Sequence, residues 1–401
     1  MGGTHPVAAL PERSPSTDGS HARICGSNEP LQRNRANGVL FRKRQPSGQV
    51  VTSGIAEGFR QIDEWRRWQG RLLDGFGVRP VETPFRIVLD RPGLRLRAYK
   101  NGTGSGADLL IIPAPIKRAY IWDLAPPVSV VRRCLDQGLR VYLAEWTEPP
   151  SGNTELGLEH YAERLLPAAV DAIAGDGGGQ RVLLAGHSLG GTLAAIFATL
   201  NPDRVRGLVL LEAPAKFGRA AGAFAPLVAV APWAGALWAI LGDVPGSFLD
   251  IASVAASPAS FVWARWLDRL ESLGEPEALQ IHFRVERWAL DEFPLPARLF
   301  EDVVEWLYRE DRFMRGNLTI AGRIAAPEAL AMPLLSVVNP RSVIVPAESI
   351  LALHHAAPSA EKRLYCYRAE RGVALQHVGV LVGRNAHRRL WPQILCWMTQ
   401  R

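Results

Sequence analysis

Cysteine is scarce in this chain of 401 residues. Cys25, Cys134, Cys366 and Cys396 are far apart and form no CxxC pair. That spacing excludes a zinc site and a disulfide framework and points to a reducing interior. Lysine is also rare, at 5 of the 46 basic residues. The net charge of +7 is therefore mostly arginine, and it is unevenly placed. Residues 1–50 hold seven Lys/Arg against three Asp/Glu, whereas the remainder holds 39 against 36. No nucleic-acid reader motif accompanies the charge, so no nucleic-acid partner is expected. No apolar stretch follows the N-terminal basic residues, so no secretory signal is expected and the chain reads as cytoplasmic. Neither a metal-ligand cluster nor a glycine-rich phosphate loop is visible, so no metal and no cofactor are expected. What is present is ordinary globular material, 47% apolar and 21% charged.

Residues 1–57 are rich in Gly, Pro, Ser, Arg and Asn without a sustained apolar period. Such a segment cannot bury enough surface to offset its ordering entropy, and a disordered basic tail is expected, or a start placed too early. From Ile62 the pattern changes. Residues 59–75 read as an amphipathic helix, followed by β-like runs at 85–90 and 94–100. Strand-like runs at 109–113, 139–146, 182–186 and 205–211 then alternate with helical stretches at 128–137, 156–173 and 189–200. This alternation predicts an α/β fold with a mostly parallel sheet covered on both faces. Over 214–300 it gives way to aromatic-rich, helical sequence. It resumes with a helix near 301–309, strands at 334–339 and 363–368, and a last helix at 386–398. The expected organisation is a core in two parts, 58–213 and 301–401, interrupted by a helical cap at 214–300. Within the cap, 220–242 is uncharged over 23 residues, long enough to span a bilayer. Pro226 and Pro232 interrupt it, so a buried or lipid-facing lid is expected instead.

The strongest chemical signal is Gly186-His187-Ser188-Leu189-Gly190-Gly191. It follows the apolar strand Val182-Leu183-Leu184-Ala185 and opens a helix, which is the context of a nucleophile elbow. The turn strains the backbone and lifts the Ser188 hydroxyl to a helix N-terminus, where N–H groups favour developing negative charge. Ser188 is the expected nucleophile and His187 the expected packing residue beside it. A serine needs a base. Of nine histidines, His377 is the one in a late loop, after the strand at 363–368. His5 and His21 lie in the tail, His160 and His282 on helices, His387 in the last helix, and His354 and His355 follow a helix too early.

The third member of a triad stays open. The stretch after 334–338 reads Asn339-Pro340-Arg341-Ser342-Val343-Ile344-Val345-Pro346 and holds no carboxylate. Glu212, at the end of the strand after the nucleophile helix, is one substitute. Glu348, in a helix first turn, is a second, and the absence of any acid is the third alternative. For the oxyanion hole, Leu189 supplies one backbone N–H. The other comes from the loop Pro113-Ala114-Pro115-Ile116-Lys117, with Ile116 first and Ala114 second.

These residues, with others spread along 80–398, resemble the polyhydroxyalkanoate (PHA) synthases, and most closely the shorter bacterial type that works with a partner subunit. The similar stretches include Leu110-Ile111-Ile112-Pro113 through Tyr120-Ile121-Trp122-Asp123-Leu124, and Asn201-Pro202-Asp203-Arg204-Val205-Arg206. Val244-Pro245-Gly246, Trp288 with Asp291, Ile344-Val345-Pro346, and His377-Val378-Gly379 with Trp391-Pro392 and Trp397 extend the resemblance. It implies an α/β-hydrolase fold with a helical cap, hydroxyacyl-CoA thioesters as substrates, CoA only as part of the substrate, and His377 as base. Two departures fall on the chemistry. Ser188 stands where the family has Cys, and Ser342 stands where it has Asp. Gln376 also precedes the histidine where Gly is usual.

A serine ester is a common intermediate on the way to water. The first expectation is therefore hydrolysis of a hydroxyacyl ester, thioester or polyester through a Ser188 acyl-enzyme. The alternative is a PHA synthase-like acyltransferase or polymerase. A third reading, from a different class, is a catalytically weak homologue that binds a granule, membrane or partner through its apolar cap. A homo- or hetero-oligomer fits each of these.

Overall fold

The computed structural model describes residues 47–99, 106–148, 155–291 and 293–401. Residues 1–46, most of the expected tail and with them Cys25, His5 and His21, lie outside the described residues. Among the described residues ten strands are present: β1 (Arg86–Arg91), β2 (Leu94–Tyr99), β3 (Asp108–Ile112), β4 (Arg140–Trp146), β5 (Val182–His187), β6 (Val205–Leu211), β7 (Leu318–Ile320), β8 (Arg323–Ala325), β9 (Leu334–Val338) and β10 (Lys362–Cys366). Eight of them form one sheet in the order β1-β2-β4-β3-β5-β6-β9-β10. Only the β1–β2 and β2–β4 pairs are antiparallel; the others in this sheet are parallel. The central strands β3, β5 and β9 are buried along their whole length. Strands covered on both faces need apolar residues without alternation, which is what Leu109–Ile112 and Val182–Ala185 provide.

The core helices are α2 (Val130–Asp136), α3 (Leu158–His160) running on through a wider turn into α4 (Leu166–Gly175), α5 (Leu189–Leu200), α12 (Ala347–Ala356), α13 (Gly379–Val382) and α14 (Trp391–Thr399). Helix α5 is apolar all round and buried, as befits a helix between the sheet and a second helical layer. Between β6 and β9 the chain leaves the sheet to form α6 (Phe224–Val230), α7 (Ala234–Leu241), α8 (Gly246–Ala256), α9 (Ala264–Ser272), α10 (Pro276–Ala289) and α11 (Ala297–Asp302). This is the expected helical cap. The uncharged stretch 220–242 is broken at Pro232, and α6 and α7 meet at 78°. Among the described residues no single helix is long and apolar enough to cross a membrane.

Two expectations change. The first helix, α1, spans Ser47–Asp74, so 47–57 are helical rather than tail. Helix α1 also packs on α7, α8 and α10, so 58–74, assigned from sequence to the core, sit with the cap. The cause is polar as well as apolar. Asp63 is buried and accepts from Gly246 N (3.2 Å) and Ser247 N (2.8 Å), taking two backbone donors that the start of α8 leaves without intrahelical partners. Phe59 meets Phe248 edge-on at 5.8 Å.

Helix α10 in turn is fastened to the loop after β3. Trp288 Nε1 donates to Arg118 O (2.8 Å), Lys117 Nζ to Ala289 O (2.7 Å), and Tyr120 Oη to Asp291 (3.1 Å). The cap is thus tied to the core next to the expected oxyanion loop.

Candidate functional site

Strand β5 ends at His187 and α5 begins at Leu189, leaving Ser188 as the single residue of the turn. Its φ of 54° and ψ of −135° lie in a region that costs a non-glycine residue about 1–3 kcal/mol. The strain is held by Ser188 N donating to Leu211 O (3.1 Å) and by Ser188 O accepting from Gly191 N (2.9 Å) and Thr192 N (3.2 Å). Glycine is required at Gly190 for a different reason. A Cβ there would overlap Ile112 O and the carbonyl of Pro113. The start of α5 therefore lies directly against the loop after β3, and the two halves of an oxyanion site are pressed together.

Ser188 and His377 line one cavity with His187, Ala114, Ile116, Trp122 and Trp288. Its volume is about 60 Å³, room for roughly two water molecules. Among the described residues the Ser188 hydroxyl makes no hydrogen bond, so the cavity is the link between it and the imidazole. The Leu189 N–H lies in the first turn of α5, where it has no intrahelical acceptor. Both Ala114 and Ile116 border the cavity, so both alternatives for the second donor stand.

His377 sits in a short helical turn, Gln376–Val378, rather than an open loop. Its Nδ1 is 3.4 Å from Glu212 Oε2. Glu212 follows β6 directly, with its N–H donating to Val337 O (2.9 Å) and its φ at 44°. That left-handed conformation turns the side chain off the strand end. Glu212 is fully buried, and its Oε1 has no partner among the described residues. Burial pushes its pKa well above the ordinary carboxylate range. Burial also pushes the His377 imidazole down to about 4. At 3.4 Å the bond is long for N–H···O. A proton arriving on Nε2 would make the contact charge-assisted and shorter.

The other acid alternative, Glu348, is exposed in the first turn of α12. Ser342 is occupied in its own turn, where Oγ accepts from Val345 N (3.1 Å). Neither bonds His377 among the described residues. His354 and His355 lie in the last turn of α12 rather than after it, and His354 Nδ1 is 3.0 Å from Ser336 Oγ. His387 receives Arg133 Nε and contacts Leu381 O. None of these histidines lines the cavity.

His187 does more than pack. Its Nε2 donates to the carbonyl oxygen of His377 at 2.8 Å, and the two rings lie 4.6 Å apart. Burial and the neighbouring His377 hold its pKa well below the ordinary value, so the ring is a neutral donor. Sequence offered no sign of this bond, since it joins positions 190 residues apart. Among the described residues no group of three His, Cys, Asp or Glu could hold a metal ion.

Comparison with known proteins bears on the fold. A family model described as the alpha/beta hydrolase fold matches residues 127–229. The poly(3-hydroxyalkanoate) polymerase subunit PhaC of Haloferax mediterranei is 28% identical over 329 residues, covering 80% of this chain and 64% of that subunit's length. The corresponding subunit of Synechocystis is 28% identical over 298 residues, covering 73% of this chain and 78% of the other. A solved structure of a candidate lipase from Sulfolobus solfataricus superposes with a TM-score of 0.51 at 17% identity, over 79% of this chain and 99% of that one. A match over 329 residues cannot avoid the cap, so the likeness is to a whole architecture and not to the nucleophile turn alone. Over most of its length the chain is thus similar to the PHA polymerase subunits, and it carries the α/β-hydrolase fold.

Proposed function

We propose that this enzyme transfers hydroxyacyl groups from CoA thioesters to a hydroxyl acceptor through an ester on Ser188. The observation that carries the reading is the shared cavity of Ser188 and His377, with Glu212 behind the imidazole. His377 Nε2 takes the Ser188 proton as Oγ attacks the thioester carbonyl. The oxyanion is met by Leu189 N–H and a donor from Ala114 or Ile116. Collapse expels the thiol, which leaves with the proton from His377, and Ser188 keeps the acyl group. An acceptor hydroxyl then gives its proton to His377, attacks the ester and restores Ser188.

The relatives named as polymerase subunits support transfer over hydrolysis, which was the first expectation from sequence. Hydrolysis remains the second reading because of the Ser188 oxygen itself. Acylating a serine from a thioester is downhill, but passing that ester to another alcohol is nearly isoenergetic, so water competes well for it. The non-catalytic reading loses its motive, which was the missing acid, once Glu212 stands beside His377. The same proposal gives the exposed cap aromatics a use. Trp65, Trp233 and Trp263 are each more than half exposed and would meet a polyester granule or lipid surface.

The test is incubation of the purified full chain with 3-hydroxybutyryl-CoA, measuring released thiol and separating insoluble polyester from free acid. Thiol release with polyester, lost in S188A and H377A, is the expected result. Free acid alone selects hydrolysis, and equal thiol release by wild type and S188A overturns Ser188 acylation.

A further inference from the structure

The chain that carries His377 is held by the cap. Asp268 lies on α9 and is buried. Its Oδ1 accepts from Gly372 N and its Oδ2 from Ala374 N, both at 2.8 Å. Oδ2 also lies 2.6 Å from Nδ1 of His282, a fully buried residue of α10. One carboxylate thus binds two alternate backbone donors of a core loop and one ring of a neighbouring cap helix.

The captured loop is not a relaxed turn. Gly372 and Ala374 have φ of 79° and 56°, and a Cβ on Gly372 would come within 2.9 Å of Ala278 of α10. Left-handed backbone at Ala374 persists only where its surroundings over-determine it, and here the Asp268 carboxylate does so. Three residues later stands His377. Between them Gln376 closes the loop on itself, accepting from Glu370 N (3.2 Å) and donating to Glu370 O (2.8 Å). That closure fixes the loop's shape but not its place on the molecule. Its place comes from Asp268 on one side, from Glu370 accepting Asn385 N (2.6 Å) and Ala386 N (3.0 Å), and, at the far end, from His187 on the His377 carbonyl.

We propose that Asp268, with His282 behind it, is a positioning residue that sets the imidazole of His377 over Ser188, so that the cap fixes the base as well as covering it. The inference rests on His377 being the base. Helix α10 then reaches both loops, through Trp288 on the loop after β3 and through Ala278 against Gly372 of the histidine loop, with His282 acting by way of Asp268. A displaced cap would leave Ser188 in its turn and carry the base away from it.

The test uses the intact chain with D268N, which keeps the volume but replaces one accepting oxygen with a donor. D243N is the comparator, since Asp243 also accepts a cap backbone N–H, that of Ala297 at 3.1 Å, away from the histidine loop. Two readouts are taken. The first is the rate of Ser188 labelling by a fluorophosphonate, and the second is the titration of the His377 ring by NMR, which needs no activity. D268N is expected to label about 10–100-fold more slowly, with the His377 titration moving up from about 4 towards its ordinary value. D243N is expected to change neither. Should D268N not fold, H282Q, which leaves the two backbone bonds of Asp268 in place, is expected to shift both readouts the same way by a smaller factor. Wild-type labelling and titration in whichever of these variants folds overturns the positioning role. Equal labelling of wild type and S188A fails the acyl-enzyme reading instead, and the ring titration still reports on Asp268.

Discussion

His187 Nε2 is 2.8 Å from the carbonyl oxygen of His377, so the residue before the proposed nucleophile grips the backbone of the proposed base. The bond spans β5 and the turn after β10 and is shielded from water. H187F keeps a ring in place but leaves that carbonyl without its donor, a loss of about 1–3 kcal/mol when buried. We expect a lower melting temperature together with Ser188 labelling slowed about tenfold. Labelling at the wild-type rate would reduce His187 to packing.

Glu212 should behave as the orienting acid. E212Q preserves shape but cannot hold an imidazolium, and kcat should fall by roughly 10³–10⁴, as for the neutralised carboxylate of a serine protease. KM should change little. A fall smaller than about threefold, measured on an activated ester, would return the site to the no-acid alternative.

The acid limb of the rate should lie unusually low. Burial holds His377 near 4, so the free base persists well below the ordinary imidazole value of 6.5. kcat/KM for an activated ester should therefore stay level from neutrality to about pH 5 and fall towards pH 4. The sign for stability follows. Between 6.5 and 4 the unfolded chain binds the proton and the folded one does not, so stability from this group is full above 6.5 and is lost as pH falls through 4. H377Q should remove that portion of the pH dependence in urea melts.

Gly190 sits where the start of α5 meets the loop after β3. G190A drives a methyl into Ile112 O and Pro113, moving the loop that bears Ala114 and Ile116. Loss of one oxyanion donor typically costs about 10²–10³ in kcat. Turnover should drop by that order while Ser188 and His377 remain in place, and a crystal structure of the variant would show the loop displaced.

The exposed cap aromatics give a surface prediction. Trp263 is 63% and Trp266 51% exposed, so W263S/W266S should leave the melting temperature nearly unchanged. Retention on polyester particles in a sedimentation assay should fall several-fold.

Much of the core was legible because its signals are local. The apolar runs at 182–186 and 205–211 predicted β5 and β6 to within a residue, and the uninterrupted Leu189–Leu200 pattern predicted α5. The β7–β8 hairpin escaped notice because three-residue strands are too short to display a period. What joins distant positions was not legible. The Glu212 alternative could be named from the strand ending, but only the fold brings it within 3.4 Å of His377. Asp268 and His282 read as ordinary helix residues, and nothing in their spacing announced Gly372 or Ala374 as partners. Helix α1 was read correctly as amphipathic, yet its attachment to α8 depends on Asp63 meeting backbone 183 positions away.

On the proposal that Glu212 supplies the carboxylate, the turn after β9 has no catalytic part, and its contacts are with the cap. Val343 O accepts from Ala223 N at 2.8 Å, and Gly222 lies so close that a side chain there would strike Val343 and Ile344. This turn is thus a hinge plate for the first cap helix. On the proposal that Glu212 is the acid, changes in residues 341–345 should register in how the cap is seated rather than in how bonds are broken.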